Sequence, residues 1–366
     1  MEQLAEWVCN ANEAIELALV LPHSSLKFHP DFSYPFFGEE EKIFGYKNLK
    51  LKLHYSAGSL NAYLGISYSN AISSGNTLPQ DVIKQITAKI THPITFNYDQ
   101  FLVKVKEDER SFKPMGEKIH EYQINNITYE YYRCDFEMKR FKDYHRRLQT
   151  FVLWFIEGAS FIEDDDERWQ CVLVYRKSTI GVEQYTIVGY ATYYPFYHFP
   201  DKLRMRISQV LILPPFQGKG HGYRMYEFLY NRFLNDSQVV DITVEDPNDA
   251  FQDMRDRCDI QMLLKNHALA GVTASQMTVG HLQALREKFK LCERQAIRCS
   301  EILLLKATLK WDAKSFRDYR IYIKKRLYKK NKDALMGMEF GDRLAALQHT
   351  FDAVEEDYRA LLSVVQ

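Results

Sequence analysis

The apolar residues of this chain change their period several times. Leu4, Trp7 and Ala11 fall on one helical face. Ile15, Leu17, Leu19 and Leu21 then alternate with Glu16, Ala18 and Val20, the two-residue repeat of a strand. Leu49, Leu51, Leu53 and Tyr55 alternate with Asn48, Lys50, Lys52 and His54. The turn-like stretch SAGS and a second run, LNAYLGISYS, follow, which together read as a hairpin. These segments predict a small α/β unit. The stretch KEDERSFKPMGEK (106–118) is charged and contains Pro114 and Gly116, so it has little to bury and marks a boundary close to residue 112. Beyond it the pattern is aromatic and strand-rich: YQINNITYEYYRCDF, WQCVLVYRK and YTIVGYATYYPFY, with an apolar helix expected over 145–159. After residue 270 the steps become three and four, through Leu282, Leu285, Phe289, Cys292, Ala296, Cys299 and Leu303, the stripe of a packed helix. The expected domains are therefore 1–112, 113–268 and 269–366, the last a helical bundle.

Composition narrows this picture only a little. A chain of 366 residues exceeds one ordinary core. The 48 basic and 48 acidic residues cancel, so electrostatic recognition has to come from local patches. With 24 Tyr and 23 Phe there is ample surface to bury, which argues against long disorder. The six cysteines form no C-x-x-C pair, as expected of reduced thiols. The first 25 residues hold four glutamates and no Lys or Arg, unlike a secretory or transit segment. The most apolar stretch, 148–162, is interrupted by Glu157 and is too short to span a bilayer.

Candidate chemistry concentrates at QVLILPPFQGKGHG (209–222). The run 207–213 reads as a strand covered on both faces, which Pro214 and Pro215 end. A helix carrying Tyr226, Leu229 and Phe233 on one face begins near Gly220. A strand, a glycine loop and a helix offer free N–H groups at the positive end of a helix dipole, with no Cβ to obstruct a phosphate. A P-loop would need Ser or Thr after Gly218-Lys219, where Gly220 stands. A dinucleotide fold would need G-x-G-x-x-G among alternating βα units. A plain glycine turn with no ligand also accounts for the glycines alone. The next strand, VVDITVED (239–246), puts Asp241, Thr243 and Glu245 on one face and ends in acids.

Gln217-x-x-Gly220-x-Gly222 resembles the pyrophosphate loop of the GNAT superfamily of N-acetyltransferases. The segments FHPDFSYPFFGEEEKIFGYK (28–47), LQTFVLWFIEGASFIEDDDERW (148–169), QVLILPPFQGKGHG and DITVEDP (241–247) resemble the catalytic subunits of type B histone acetyltransferases. The resemblance implies an α+β fold: a mixed, strongly curved GNAT-type sheet flanked by helices, with an N-terminal α/β domain and a C-terminal helical bundle. It implies transfer of acetyl from acetyl-CoA to lysine side chains in the tail of newly made histone H4, directly in a ternary complex and with no metal. It assigns Glu245 as general base with Asp246 and Glu157 as neighbours. It gives the acetyl and pantetheine portion to the backbone of Val210, Leu211 and Ile212, and the pyrophosphate to Gln217, Gly218, Lys219, Gly220, His221, Gly222 and Tyr223. His221 is expected to pack on phosphate or face solvent. Glu39, Glu40, Glu41, Trp169, Tyr194, Pro195 and Phe196 are assigned to the basic histone tail. The resemblance also implies a partner core histone, a WD-repeat histone chaperone and residence in both nucleus and cytoplasm.

Two basic stretches, 139–147 and 314–332, the latter with nine Lys or Arg among aromatics, could serve nucleic-acid, chaperone or acidic-partner binding. A non-catalytic chromatin- or chaperone-binding module, or an N-acetyltransferase of another amine, are the alternative readings.

Overall fold

The computed structural model describes residues 6–73, 77–178, 181–308 and 313–365. The chain divides into two units, residues 1–194 with 208–221, and residues 195–207 with 222–366. This grouping follows different lines from the three sequence segments. Leu4, expected on the first helix, lies outside the described residues. That helix is a single turn, Ala11–Ala14, because Asn10 caps it and the chain turns extended at Ile15.

In the first unit, strands β1 (Ile15–Leu21), β2 (Ser24–Phe28), β3 (Lys50–Ser56), β4 (Ala62–Ser67) and β5 (Ile94–Thr95) form one sheet in the order β2-β1-β3-β4-β5. β1 and β3 run parallel with Ile15, Leu17 and Leu19 opposite Leu51, Leu53 and Tyr55, all buried. Helix α1 (Tyr98–Ser111), capped by the Asn97 side chain, lays Phe101 and Val105 on Ala18 and Val20. The helix therefore runs halfway through the charged stretch expected as a boundary. Its Lys, Glu and Arg residues are good helix formers, and their charges lie away from this buried face.

The same unit carries β6 (Glu117–Ile124), β7 (Ile127–Asp135), β8 (Gln170–Ser178) and the first eleven residues of β9 (Gln184–His198), each antiparallel to the next. Helix α2 (Lys139–Leu148) contains the first basic stretch and buries Phe141, Tyr144, His145 and Leu148. The apolar helix expected over 145–159 thus begins earlier, passes through a 3-10 turn at 149–151 and ends at Phe155. There Ile156 turns extended, and Gly158 adopts φ 68°. Strand β10 (Lys202–Ile212) supplies its C-terminal part to this unit, beside β9. Val188 is an extra residue between the pairs Val174–Gly189 and Tyr175–Ile187, a bulge that bends β9 locally.

In the second unit the N-terminal part of β10 pairs in parallel with β11 (Val239–Val244), with Arg204 opposite Asp241 and Ile207 opposite Val244. Helices α3 (His221–Leu234), α4 (Asp249–Lys265), α5 (Val279–Phe289), α6 (Glu293–Thr308), α7 (Ala313–Lys330) and α8 (Phe340–Val364) complete the chain. The stripe from Leu282 to Leu303 is therefore two helices and not one. Lys290 is left-handed (φ 48°), and its carbonyl accepts from the Ile242 N–H at 2.8 Å. The segment leaves helical geometry to bridge β11 at Leu291. On α7, Tyr319, Ile323 and Leu327 face inward, so most of the second basic stretch lines an outer helix face.

Candidate active site

In the first unit, β10 ends where the Leu213 N–H donates to Val188 O at 2.9 Å, tying the strand end to the β9 bulge. Gly189 allows this closeness. A Cβ there would collide with the Leu211 carbonyl oxygen and stand 2.9 Å from the Ile212 Cα. Strand β10 thereby holds the backbone of Val210, Leu211 and Ile212 against β9 at a spacing that no side chain would permit.

Pro214–Phe216 form one 3-10 turn, and the loop follows. The Gln217 side chain donates to Ile212 O at 2.8 Å and its N–H to Pro214 O at 3.2 Å, so this residue staples the loop to the strand. Gly218 and Gly220 adopt φ 72° and 81°, and the space a Cβ would occupy is open at both. The backbone conformation demands glycine, while the vacant volume leaves the leading N–H groups of α3 approachable by a bulky anion. Gln217 through Gly220 are exposed. Lys219 Nζ donates to Pro215 O at 2.7 Å.

His221 differs from its expectation. Its imidazole is buried, with Nδ1 2.7 Å from the Tyr122 hydroxyl and its ring 4.5 Å from Tyr129. The ring packs onto β6 and β7 through these two tyrosines. In the second unit, Gly222 and Tyr223 lie in the first turn of α3, and the Tyr223 hydroxyl donates to Gln261 at 2.8 Å.

Also in the second unit, Glu245 follows β11 directly. Its N–H donates to Ile207 O at 2.9 Å and its carboxylate lies 3.4 Å from Arg206 Nη1. The Arg206 guanidinium covers the Phe196 ring at 4.4 Å. Asp246, exposed with φ 31°, turns the chain sharply toward Asn248, whose side chain caps α4. Arg206 was not among the sequence candidates. The available signal was the alternation Arg204-Met205-Arg206-Ile207 facing the acids of DITVED.

Among the remaining first-unit candidates, Glu157 is exposed in the turn closed by the Gly158 N–H on the Tyr34 hydroxyl at 2.7 Å. Glu41 has turned inward: its carboxylate accepts from the backbone N–H groups of Ser33 and Tyr34 and from Asn12. That work holds the 33–41 loop together and takes Glu41 out of the acidic triplet, leaving Glu39 and Glu40 exposed, with Glu40 on Lys42 at 2.8 Å. Trp169 packs edge-on to Tyr194 at 5.0 Å, and the Tyr194 hydroxyl donates to Asp166 at 2.8 Å. The Arg168 guanidinium, with that hydroxyl, holds the Asp166 carboxyl far below the usual carboxylate range. Among the described residues no cluster suits a metal ion and no helix is long and apolar enough to cross a membrane.

Comparison with known proteins sets this geometry in a family. Residues 7–157 match the model described as the histone acetyl transferase HAT1 N-terminus, and residues 122–258 match the acetyltransferase (GNAT) family. The chain is 36% identical to the type B histone acetyltransferase catalytic subunits of Homo sapiens and Rattus norvegicus, over 99% of its own length and 94% of theirs. It is 34% identical to that of Cryptococcus neoformans over 99% of both. With identity of this size across nearly its whole length, the chain belongs to the family of type B histone acetyltransferase catalytic subunits, lysine N-acetyltransferases carrying a GNAT domain.

Proposed function

We propose that this protein transfers acetyl from acetyl-CoA to lysine ε-amines in the N-terminal tail of newly synthesised histone H4, by direct attack in a ternary complex with Glu245 as general base. The carrying observation is the anchorage of Glu245. Its main chain is fixed to Ile207, three residues before Val210 on the same strand, so the carboxylate stands at a strand tip that β10 itself braces. The open cradle at Gly218 and Gly220 fits a diphosphate, because a Cβ would fill it. Bound acetyl-CoA would supply a thioester carbonyl as electrophile.

A lysine amine has a pKa of about 10.4, so only roughly one in a few thousand is neutral at pH 7, and only that form attacks. Glu245 takes the proton as the amine nitrogen bonds to the carbonyl carbon; the sulfur leaves with the C–S electron pair. Backbone N–H groups near Val210–Ile212 are suited to hold the carbonyl oxygen as its negative charge grows. Exposed Glu39 and Glu40 and the acidic loop 163–167 would draw a lysine-rich tail. A WD-repeat histone chaperone as partner, and a protein present in both nucleus and cytoplasm, belong to the same reading.

Glu245→Gln should lower kcat by about 10²- to 10⁴-fold while leaving acetyl-CoA affinity, measured by calorimetry, within a few-fold. A variant with unchanged kcat at neutral pH removes Glu245 as base. Assay against an H4-tail peptide, other histone tails, small amines and free N-terminal peptides tests the substrate. Preference for a small amine or a free N-terminus would replace the histone reading.

A further inference from the structure

Arg204 and Arg206 sit two residues apart on β10, separated by buried Met205, and the parallel register places them opposite Asp241 and Thr243 of β11. Asp241 and Thr243 share one face of β11, because alternate residues of a strand point the same way, and Glu245 follows at the next alternate position just past the strand end. The face thus carries two Arg–carboxylate pairs side by side, and they are built differently. Arg204 grips Asp241 with two parallel bonds, Nε–Oδ1 2.6 Å and Nη2–Oδ2 2.8 Å, and Asp241 is buried. That pair is closed at both ends, the fixed fork geometry of a structural ion pair. Arg206 reaches Glu245 with a single nitrogen at 3.4 Å, longer than a good charge-assisted bond. Its Nε is buried and has no hydrogen-bond partner among the described residues. The guanidinium lies on the Phe196 ring, which supports its position without competing for its hydrogens.

Leaving an Arg nitrogen buried and unbonded is costly, and the Phe196 contact together with the charge of Glu245 is what the arrangement offers in return. We propose that Arg206 is a positioning residue for the reaction, holding the Glu245 carboxylate in place through a contact loose enough to yield to an incoming lysine. The inference rests on the reading of Glu245 as base. The Glu245 side chain is 37% exposed, and misplacement of a base by about 1 Å is enough to slow a reaction strongly. Arg206 also suits the task chemically. A guanidinium stays protonated at every working pH, so it cannot take the lysine proton in place of Glu245. Resting on Phe196, it keeps its place when the carboxylate turns from it to the amine.

The test is steady-state kinetics on the full chain with acetyl-CoA and an H4-tail peptide, alongside thermal unfolding. Arg206→Met should lower kcat roughly tenfold, with KM for acetyl-CoA within about twofold and the unfolding midpoint nearly unchanged. Arg206→Lys, which keeps the charge, should recover much of the loss. In a Glu245→Gln background, Arg206→Met should add nothing. Should Arg206→Met fail to fold, Phe196→Leu removes the support and keeps the charge; it should show a smaller loss of kcat that also vanishes in the Glu245→Gln background. Unchanged kcat in Arg206→Met, a Lys variant no better than Met, or losses that multiply with Glu245→Gln would each overturn the proposal. A slow Glu245→Gln beside a fast Arg206→Met overturns this role alone, whereas a fast Glu245→Gln overturns the assignment of the base and this role with it.

Discussion

The two units both bury aromatic rings but differ in how much charge they take inside with them. In the first, the core is aromatic: Trp154 stacks on Phe36 at 3.9 Å, and Tyr55, Tyr175 and Tyr190 are fully buried. Its buried ionisable groups include two histidines whose values burial pushes down to about 4, His145 and His92, the latter also beside Arg147. In the second, α4, α6, α7 and α8 meet over charges. Gln295 Nε2 donates to both Asp256 and Asp259, Tyr226 donates to Asp259 at 2.9 Å, and Glu301 accepts from Arg326 and from Tyr358 at 2.8 Å. Burial pushes Asp259 up to about 6, against the pull of Arg255, and raises Glu301 as well. A sheet can bury neutral rings with few polar demands. Helices joined by long polar side chains must pair every charge they bring inside. The lesson is that the same chain is fragile in two different ways.

The largest effect should come from orphaning one of those charges. Arg326→Met leaves the Glu301 carboxylate, 1% exposed, without its cation and should destabilise the second unit by about 3 to 5 kcal/mol. Adding Glu301→Leu should restore most of it, since the uncompensated charge carries the cost. Chemical denaturation of the three variants measures this, and a double variant no better than the single would break the contrast.

Acid should come next, with a sign that differs between the units. The histidines are neutral in the folded first unit, with values below their ordinary 6.5. Their stabilising contribution is whole above pH ~6.5 and is lost as pH falls toward 4, by up to about 3 kcal/mol for fully buried His145. Asp259 lies above its ordinary 3.8, so its contribution is greatest below that value and is lost as pH rises from about 4 to 6. Between pH 6.5 and 5, amide protection corrected for the intrinsic exchange rate at each pH should therefore fall in first-unit peptides more than in those of α4 and α6. His145→Phe should blunt that response, because neither ring nitrogen has a hydrogen bond to lose among the described residues. Equal acid sensitivity in both units, unaltered by the substitution, would refute the assignment.

The smallest effect sharpens the comparison at the loop. Gly220→Ala should cost about 1 kcal/mol of stability, from its positive φ alone, yet raise KM for acetyl-CoA several-fold because the methyl enters the open cradle. An unchanged KM would detach the loop from the coenzyme.

Much of this site was legible before the fold. Three glycines after a strand with two prolines point to an open loop at a helix start, which Gly218 and Gly220 form, whereas the reading of Glu245 as base comes from the family resemblance and not from residue types alone. What stayed hidden was hidden for physical reasons. His221 sits between glycines in an exposed stretch, and only the aromatic residues of β6 and β7, about a hundred positions earlier, show that it is buried. Glu41 is one of three identical acids, and its neighbours do not distinguish the one that bonds to the backbone. The break at Lys290 preserves the step of three to four apolar residues, so the stripe continues unbroken through a change of structure. Arg206 needed the register of β10 against β11, a pairing that no local pattern records.

Gly189 carries a consequence of another kind. It bears no reacting group, yet its missing methyl sets how near β9 lies to the end of β10. The spacing of the two strands is thus held by an atom that is not there, and any replacement at this position is registered first as a displacement of the main chain.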